Sequence, residues 1–196
     1  MKLVQKYMFT NILLGLGGNI ASDVGPPDET VHSAIADVTA CGVDVTAVSR
    51  LYRTPCFPAG AGPDYVNAAL RCESDLEPLE ILARLRKIEA RYGRERRERW
   101  GSRTLDIDVL AMDDAVLPDR ETYLKWAHLD QDAQKQRTPK GLILPHPRLQ
   151  DRGFVLIPMA DVAPDWMHPV LKKTVAEMVD ELPIEEKSDI TPVNTS

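Results

Sequence analysis

Hydrophobic residues along this chain change period in a fixed order, and that order restricts the folds open to it. Ile12, Leu14 and Leu16 alternate, which is the two-residue period of a half-buried strand, and the alternation stops at Gly17-Gly18-Asn19. After Pro26-Pro27-Asp28, apolar residues recur at helical spacing (Val31, Ala34, Ile35, Val38) as far as Gly42. Val43 to Arg53 and Tyr65 to Cys72 read as two strands, joined by a Pro/Gly-rich loop from Thr54 to Asp64. A second helical stripe follows at Ile81, Leu85, Ile88 and Tyr92, entered near Pro78 and closed by Gly93. Alternation then returns at Leu105, Ile107 and Val109. The resulting order, β-α-β-β-α-β, is that of a ferredoxin-like α+β domain.

The last of these strands carries the chemistry. Side chains two residues apart on a strand share a face, so Asp106 and Asp108 point together, away from the core side taken by Leu105, Ile107 and Val109. Directly before them stand Arg91, Arg94, Arg96, Arg97, Arg99 and Arg103. Carboxylates able to hold one or two hard cations, set beside several guanidiniums, suit a polyphosphate whose oxygens the metal bridges and the arginines neutralise. On the residues alone two plainer readings stand beside this one. Paired acids on a strand also occur as a solvated face, and an arginine run broken by Glu95 and Glu98 also occurs as a salt-bridged surface loop.

A chain of 196 residues with 43% hydrophobic residues can bury one sizeable core. Its net charge of −6 argues against broad binding to nucleic acid or to an anionic membrane, so the arginines are a local feature aimed at a small partner. Cys41, Cys56 and Cys72 are widely spaced and form no Cys-X-X-Cys pair, which favours reduced thiols in a cytoplasm. Lys2 and Lys6 before an apolar stretch from Met8 to Ile20 resemble a weak secretory signal, but Asn11 and the glycines at 15, 17 and 18 speak against it, and no run reaches transmembrane length.

Beyond Met112 the pattern weakens. Residues 118–141 are polar and charged, with Tyr123 and Trp126 as large anchors, and read as an inserted helix or excursion dispensable for chemistry. Structure resumes at Leu144-Pro145-His146-Pro147-Arg148 and Arg152-Gly153-Phe154-Val155-Leu156, and a terminal helix is expected near Lys173 to Glu181. A domain over 10–182 is therefore expected, followed by a disordered tail over 183–196, rich in Glu, Ser, Thr and Pro.

Five segments occur in the order of one known family: Gly17-Gly18-Asn19, Tyr52-Arg53-Thr54-Pro55, Pro63-Asp64-Tyr65-Val66-Asn67-Ala68, Arg99-Trp100-Gly101-Ser102-Arg103-Thr104-Leu105-Asp106-Ile107-Asp108, and Pro145-His146-Pro147 followed by Arg152-Gly153-Phe154. Through them the chain resembles the 6-hydroxymethyl-7,8-dihydropterin pyrophosphokinases of the folate pathway. That family transfers the terminal pyrophosphate of ATP to the pterin's hydroxymethyl group and releases AMP.

The resemblance implies two Mg²⁺ ions on Asp106 and Asp108, with Arg94, Arg96 and Arg103 clamping phosphates and stabilising the transferred group. It places Glu89, His146 and Arg152 at the ATP site. Tyr65 and Phe154 would sandwich the pterin ring, Asn67 would read its amide edge, Thr54 and Pro55 would complete the pocket, and Trp100 would ride on a closing loop. ATP and the hydroxymethyl-dihydropterin are then the partners of a monomer that binds neither nucleic acid nor membrane. Gly18 stands where the family usually has Ser, and Ser102 where it usually has Pro. With the insertion over 118–141, these departures keep two further readings open: a paralogue acting on a modified pterin, and a non-catalytic pterin- or nucleotide-binding protein. An RNA-recognition domain shares the same element order, but two acids on its central strands would repel phosphate.

Overall fold

The computed structural model describes residues 10–56, 62–93, 103–130, 133, 137–139 and 141–193. In chain order these form β1 (Thr10–Gly18), α1 (Pro27–Ala40), β2 (Asp44–Val48), β3 (Tyr52–Thr54), β4 (Tyr65–Ser74), α2 (Pro78–Arg91), β5 (Asp106–Met112), α3 (Arg120–Ala127), α4 (Gly153–Val162), α5 (Val175–Glu181), α6 (Ile184–Ser188) and β6 (Thr191–Pro192). The sheet runs β5-β1-β4-β3-β6, with β2 also on β4, and every pairing is antiparallel. Its central part is the expected ferredoxin-like arrangement.

The stretch expected as one strand over Val43 to Arg53 is divided. Ser49 is the cause, because its Oγ accepts the Ala69 N–H (2.8 Å) and so takes a place in the ladder that a backbone carbonyl would otherwise hold. The chain bends there, and β3 restarts opposite the far end of β4, with Tyr52 facing Asn67 and Thr54 facing Tyr65.

The two faces of the sheet are covered unequally. On one, Ile12, Leu14, Leu16, Val66, Ala68, Leu70, Ile107 and Val109 pack against Val31, Ala34 and Val38 of α1 and Ile81, Leu85 and Ile88 of α2, all buried. This is the meeting of period two with period 3.6 that the sequence foretells. On the other face Leu13, Ala69, Leu110 and Ala111 lie under Leu149, Leu156 and Met159 and under Val175 and Met178. That cover reaches only one end of the strands. At the other end the same face carries Gly15, Gly17, Tyr65, Asn67, Asp106 and Asp108, and there the site lies.

One expectation for the C-terminal half, the disordered tail, is corrected, and the inserted stretch holds a helix, one of the two forms expected of it. The segment beyond 118 contributes α3, capped by the Asp119 carboxylate on Thr122 N–H (2.8 Å), and buries Tyr123 at 1% exposure. Its phenol accepts from His168 Nε2 (3.1 Å), a tautomer set by Nδ1, which accepts the N–H groups of Val170 and Leu171. The tail from 183 is structured as far as Val193: α6 packs near α4, and β6 adds to the edge of β3. The terminal helix is α5, closed at its start by a reciprocal Thr174/Glu177 capping box.

Candidate active site

A transverse row across the sheet organises the site. Antiparallel partners point to the same side, so the register Tyr52–Asn67–Gly17–Asp106 sets those four positions on one face, and Gly15 opposite Asp108 forms the next row. The glycines keep the middle of that face low. A Cβ at Gly17 would stand 2.5 Å from Asn67 Oδ1, so glycine is what lets the amide lie across the strand. Asn67 is 6% exposed and donates from Nδ2 to Thr54 Oγ1 (2.8 Å), and Thr54 is itself buried.

Asp106 and Asp108 are both half-buried, and Arg103 Nη1 bonds Asp106 Oδ2. Arg103 is held at its backbone by Asn19, whose Oδ1 accepts Arg103 N–H (2.8 Å) and whose N–H donates to Arg103 O (2.9 Å). Asn19 Nδ2 also reaches Pro63 O (3.2 Å), joining the turn after β1 to the loops that lead into Tyr65 and Asp106. Gly18 lets the chain close up at that joint, because in this backbone a Cβ there would collide with the Thr104 carbonyl. Burial pushes the Tyr65 phenol up, with Arg103 opposing and Asp106 adding to it, which sets that ring at the same cluster.

The opposite wall comes from the turn before α4. The register of β1 on β5 shifts at Leu13/Leu14, leaving Leu110 as an extra residue whose carbonyl accepts the His146 N–H (2.7 Å). This bulge anchors the Pro-His-Pro turn two residues from Asp108. His146 Nδ1 accepts the Arg148 N–H (3.2 Å), so the neutral ring carries its proton on Nε2, a donor suited to an anion. Burial, then Arg152 and Arg148, lower the His146 pKa to about 3. Burial also lowers Arg152, with Asp108 and Asp106 opposing, and its guanidinium lies 5.6 Å from the centroid of the Phe154 ring. Phe154 is 40% exposed, unusual for a phenylalanine beside a core and consistent with a ring offered to a ligand.

The expected residues thus divide. Thr54, Tyr65, Asn67, Arg103, Asp106, Asp108, His146, Arg152 and Phe154 gather around one end of the sheet, with Pro55 exposed at the rim. Arg94, Arg96 and Trp100 lie outside the described residues. Glu89, expected at the border of the ATP site, is 3% exposed, and its Oε1 accepts the N–H of Ile107, the residue between the two aspartates (2.9 Å). Its place is beneath the acidic strand. Arg148, which motif reading passed over although it follows Pro-His-Pro directly, stands close enough to influence both His146 and Arg152 and pairs with Asp151 at 2.7 Å.

Among the described residues no group of three or more His, Cys, Asp or Glu side chains converges to form a metal cage. Two carboxylates on one face are still a fitting donor set for Mg²⁺, which keeps waters and shares phosphate oxygens instead of filling its shell from protein.

A profile of the 7,8-dihydro-6-hydroxymethylpterin-pyrophosphokinase family matches residues 13–164, most of the chain. The chain belongs to that family. Relatives named 2-amino-4-hydroxy-6-hydroxymethyldihydropteridine pyrophosphokinase include one from Synechocystis, 34% identical over 171 residues (87% of this chain, 75% of that protein). Another, from Methylorubrum extorquens, is 35% identical over 157 residues (80% and 84%). Among solved structures, Plasmodium falciparum HPPK-DHPS with pterin and p-hydroxybenzoate superposes with a TM-score of 0.67 at 14% identity, covering 98% of this chain and 49% of that one. This chain spans about half of that larger protein, and the likeness shows the fold. As a pyrophosphokinase of this family the chain is an ATP-dependent diphosphotransferase, acting on the hydroxymethyl group of hydroxymethyl-dihydropterin in folate biosynthesis.

Two outcomes follow from this geometry. Glu89→Ala removes the carboxylate under Ile107, and a buried N–H without its partner costs about 1–3 kcal/mol. Melting should fall by about 3–10 °C and turnover by roughly tenfold, with Glu89→Gln recovering most of both; an unchanged Glu89→Ala enzyme would refute the role.

The second concerns pH. His146 and the fully buried His168 have folded pKa values of about 3 and about 4, below the ordinary histidine value, so between that value and those the unfolded chain binds protons that the folded chain refuses. Stability therefore falls on acidification, by at most about 1.4 kcal/mol per pH unit for each histidine, and neither contributes a slope above about pH 7. Melting curves between pH 7 and 5 should show the decline, and both imidazoles should keep neutral NMR shifts down to pH 5. A flat melting temperature over that interval would contradict it.

Proposed function

We propose that this chain performs its pyrophosphoryl transfer at the end of the sheet where Asp106 and Asp108 share a face with Asn67 and Tyr65. The observation that carries the reading is this juxtaposition: a carboxylate pair flanked by Arg103 and Arg152, with an amide and exposed or half-buried aromatic rings beside it. Asp106 and Asp108 would hold two Mg²⁺ ions, which supply charge neutralisation across the triphosphate and the attacking hydroxyl. Arg103, already at Asp106, and Arg152, facing both acids, neutralise phosphate oxygens, and the His146 Nε2–H donates to one of them. Arg94 and Arg96 are assigned to the same phosphates from their motif. Tyr65 and Phe154 stack on the pterin, Asn67 pairs with its edge, Thr54 and Pro55 complete the wall, and Trp100 covers it.

No covalent intermediate is needed. Holding the hydroxyl in line with the β-phosphorus and stabilising the leaving AMP carries the rate. The described cysteines are free thiols, and no helix among the described residues is long and apolar enough to cross a membrane; both fit a cytoplasmic enzyme, which we read as a monomer.

One product decides the reaction type. With ATP labelled at the β and γ positions, Mg²⁺ and 6-hydroxymethyl-7,8-dihydropterin, the nucleotide released should be AMP and the pterin should carry both labelled phosphates. Release of ADP with a singly phosphorylated pterin would overturn the mechanism, and binding of both ligands without turnover would favour the non-catalytic reading.

A further inference from the structure

The C-terminal segment that composition marks as disordered touches both walls of the proposed pterin pocket. On one side, β6 pairs with β3, setting Pro192 opposite Tyr52 and Thr191 opposite Arg53, and the Val193 N–H donates to Leu51 O (2.8 Å). The next residue on β3 is Thr54, the partner of Asn67. On the other side, Glu186 Oε1 accepts the Gly153 N–H at 2.6 Å. Gly153 opens α4 and lies between Arg152 and Phe154, and the residue before the helix offers no side-chain cap of its own. The first N–H groups of a helix have no intrahelical acceptor and favour a negative charge, so the Glu186 carboxylate supplies from a distance the cap that the local sequence lacks. The fit is close. A Cβ at Gly153 would lie 2.9 Å from both Glu186 Oε1 and Ile190 Cδ1, and Ile190 is 9% exposed.

We infer that Glu186 is a positioning residue for the pterin site: through Gly153 it fixes where α4 begins and hence where the Phe154 ring stands, while β6 steadies the strand bearing Thr54. The inference rests on the proposed function of that pocket. The Gly153 N–H belongs to the peptide that follows Arg152, so the contact bears on Arg152 as well as on Phe154, but β6 adds to it only on the side of Thr54, and the larger influence falls on the pterin.

Calorimetry on the full chain tests this, measuring affinity for 6-hydroxymethyl-7,8-dihydropterin with a non-hydrolysable ATP analogue present, and affinity for that analogue alone. Glu186→Ala should weaken pterin binding about five- to tenfold, the worth of one ordinary hydrogen bond, and weaken the analogue, through Arg152, by a clearly smaller factor. Glu186→Gln keeps an acceptor oxygen and should stay within about twofold of the unmodified chain. A Glu186→Ala protein that binds pterin normally, or that weakens both ligands equally, would overturn the inference, as would a Glu186→Gln protein no better than the alanine variant. Phe154→Ala separates the premise from the inference. If it leaves pterin affinity intact the pocket assignment fails, whereas a strong Phe154→Ala effect beside a silent Glu186→Ala refutes only the role of the tail.

Discussion

Replacing Asp106 or Asp108 with asparagine is expected to lower turnover by at least about 10²- to 10³-fold while the protein melts within a few degrees of the unmodified chain. The size follows from the role proposed for the carboxylates. A metal bridging phosphate oxygens contributes several kcal/mol of charge stabilisation in the transition state, and a neutral amide binds Mg²⁺ far more weakly than a carboxylate does. The small stability effect follows from where they sit. Both side chains leave the core face to Ile107 and Val109, and the Arg103–Asp106 pair, with side chains 27% and 18% exposed, is a partly screened contact of the kind worth about 1 kcal/mol or less. Neutralising one of two neighbouring acids relieves their repulsion but also removes a charge that favours the buried Arg152 guanidinium, and the two effects offset one another in metal-free buffer. Stabilisation by Mg²⁺ and ATP together should disappear with the turnover. A variant that retains activity within tenfold at limiting Mg²⁺ would remove the metal assignment.

That both acids could be found from sequence has a physical basis. β5 has one face in the core and one outside it, so its alternation is forced by burial and survives in the residue pattern. The same holds for α1 and α2, whose stripes pack on that sheet. Where the deciding partner is distant in sequence, local pattern is silent. The break between β2 and β3 depends on the Ser49 hydroxyl meeting the Ala69 N–H, and a serine in a β-rich stretch does not announce it. The tail is polar and reads as disordered; its order comes from the open edge of β3 and from Gly153. Tyr123 reads as the anchor of an inserted helix or excursion, and His168 at its phenol shows that the helix is built into the fold. Glu89 carries the converse lesson. A glutamate on the buried stripe of a helix signals a backbone donor waiting opposite, and here that donor is Ile107.

Asn67→Ala should reduce pterin affinity by about ten- to a hundredfold and leave the affinity for ATP within about twofold. In the folded chain the amide is oriented before ligand arrives: Nδ2 is tied to Thr54 Oγ1, and Oδ1 lies over Gly17, where no Cβ competes for the space. A carboxamide so held presents a donor and an acceptor in one plane, the pattern that the amide and amino edge of a pterin requires. Removing it leaves that edge, and the Thr54 hydroxyl, without a partner in a buried setting, at about 1–3 kcal/mol for a group so stranded. Gly17→Ala offers an independent check, because its new methyl group would push Oδ1 aside without altering the chemistry of Asn67. If orientation is what matters, Gly17→Ala should weaken pterin binding in the same direction as Asn67→Ala, again sparing ATP. If both variants instead weaken pterin and ATP alike, Asn67 serves the sheet and the recognition role passes to another residue.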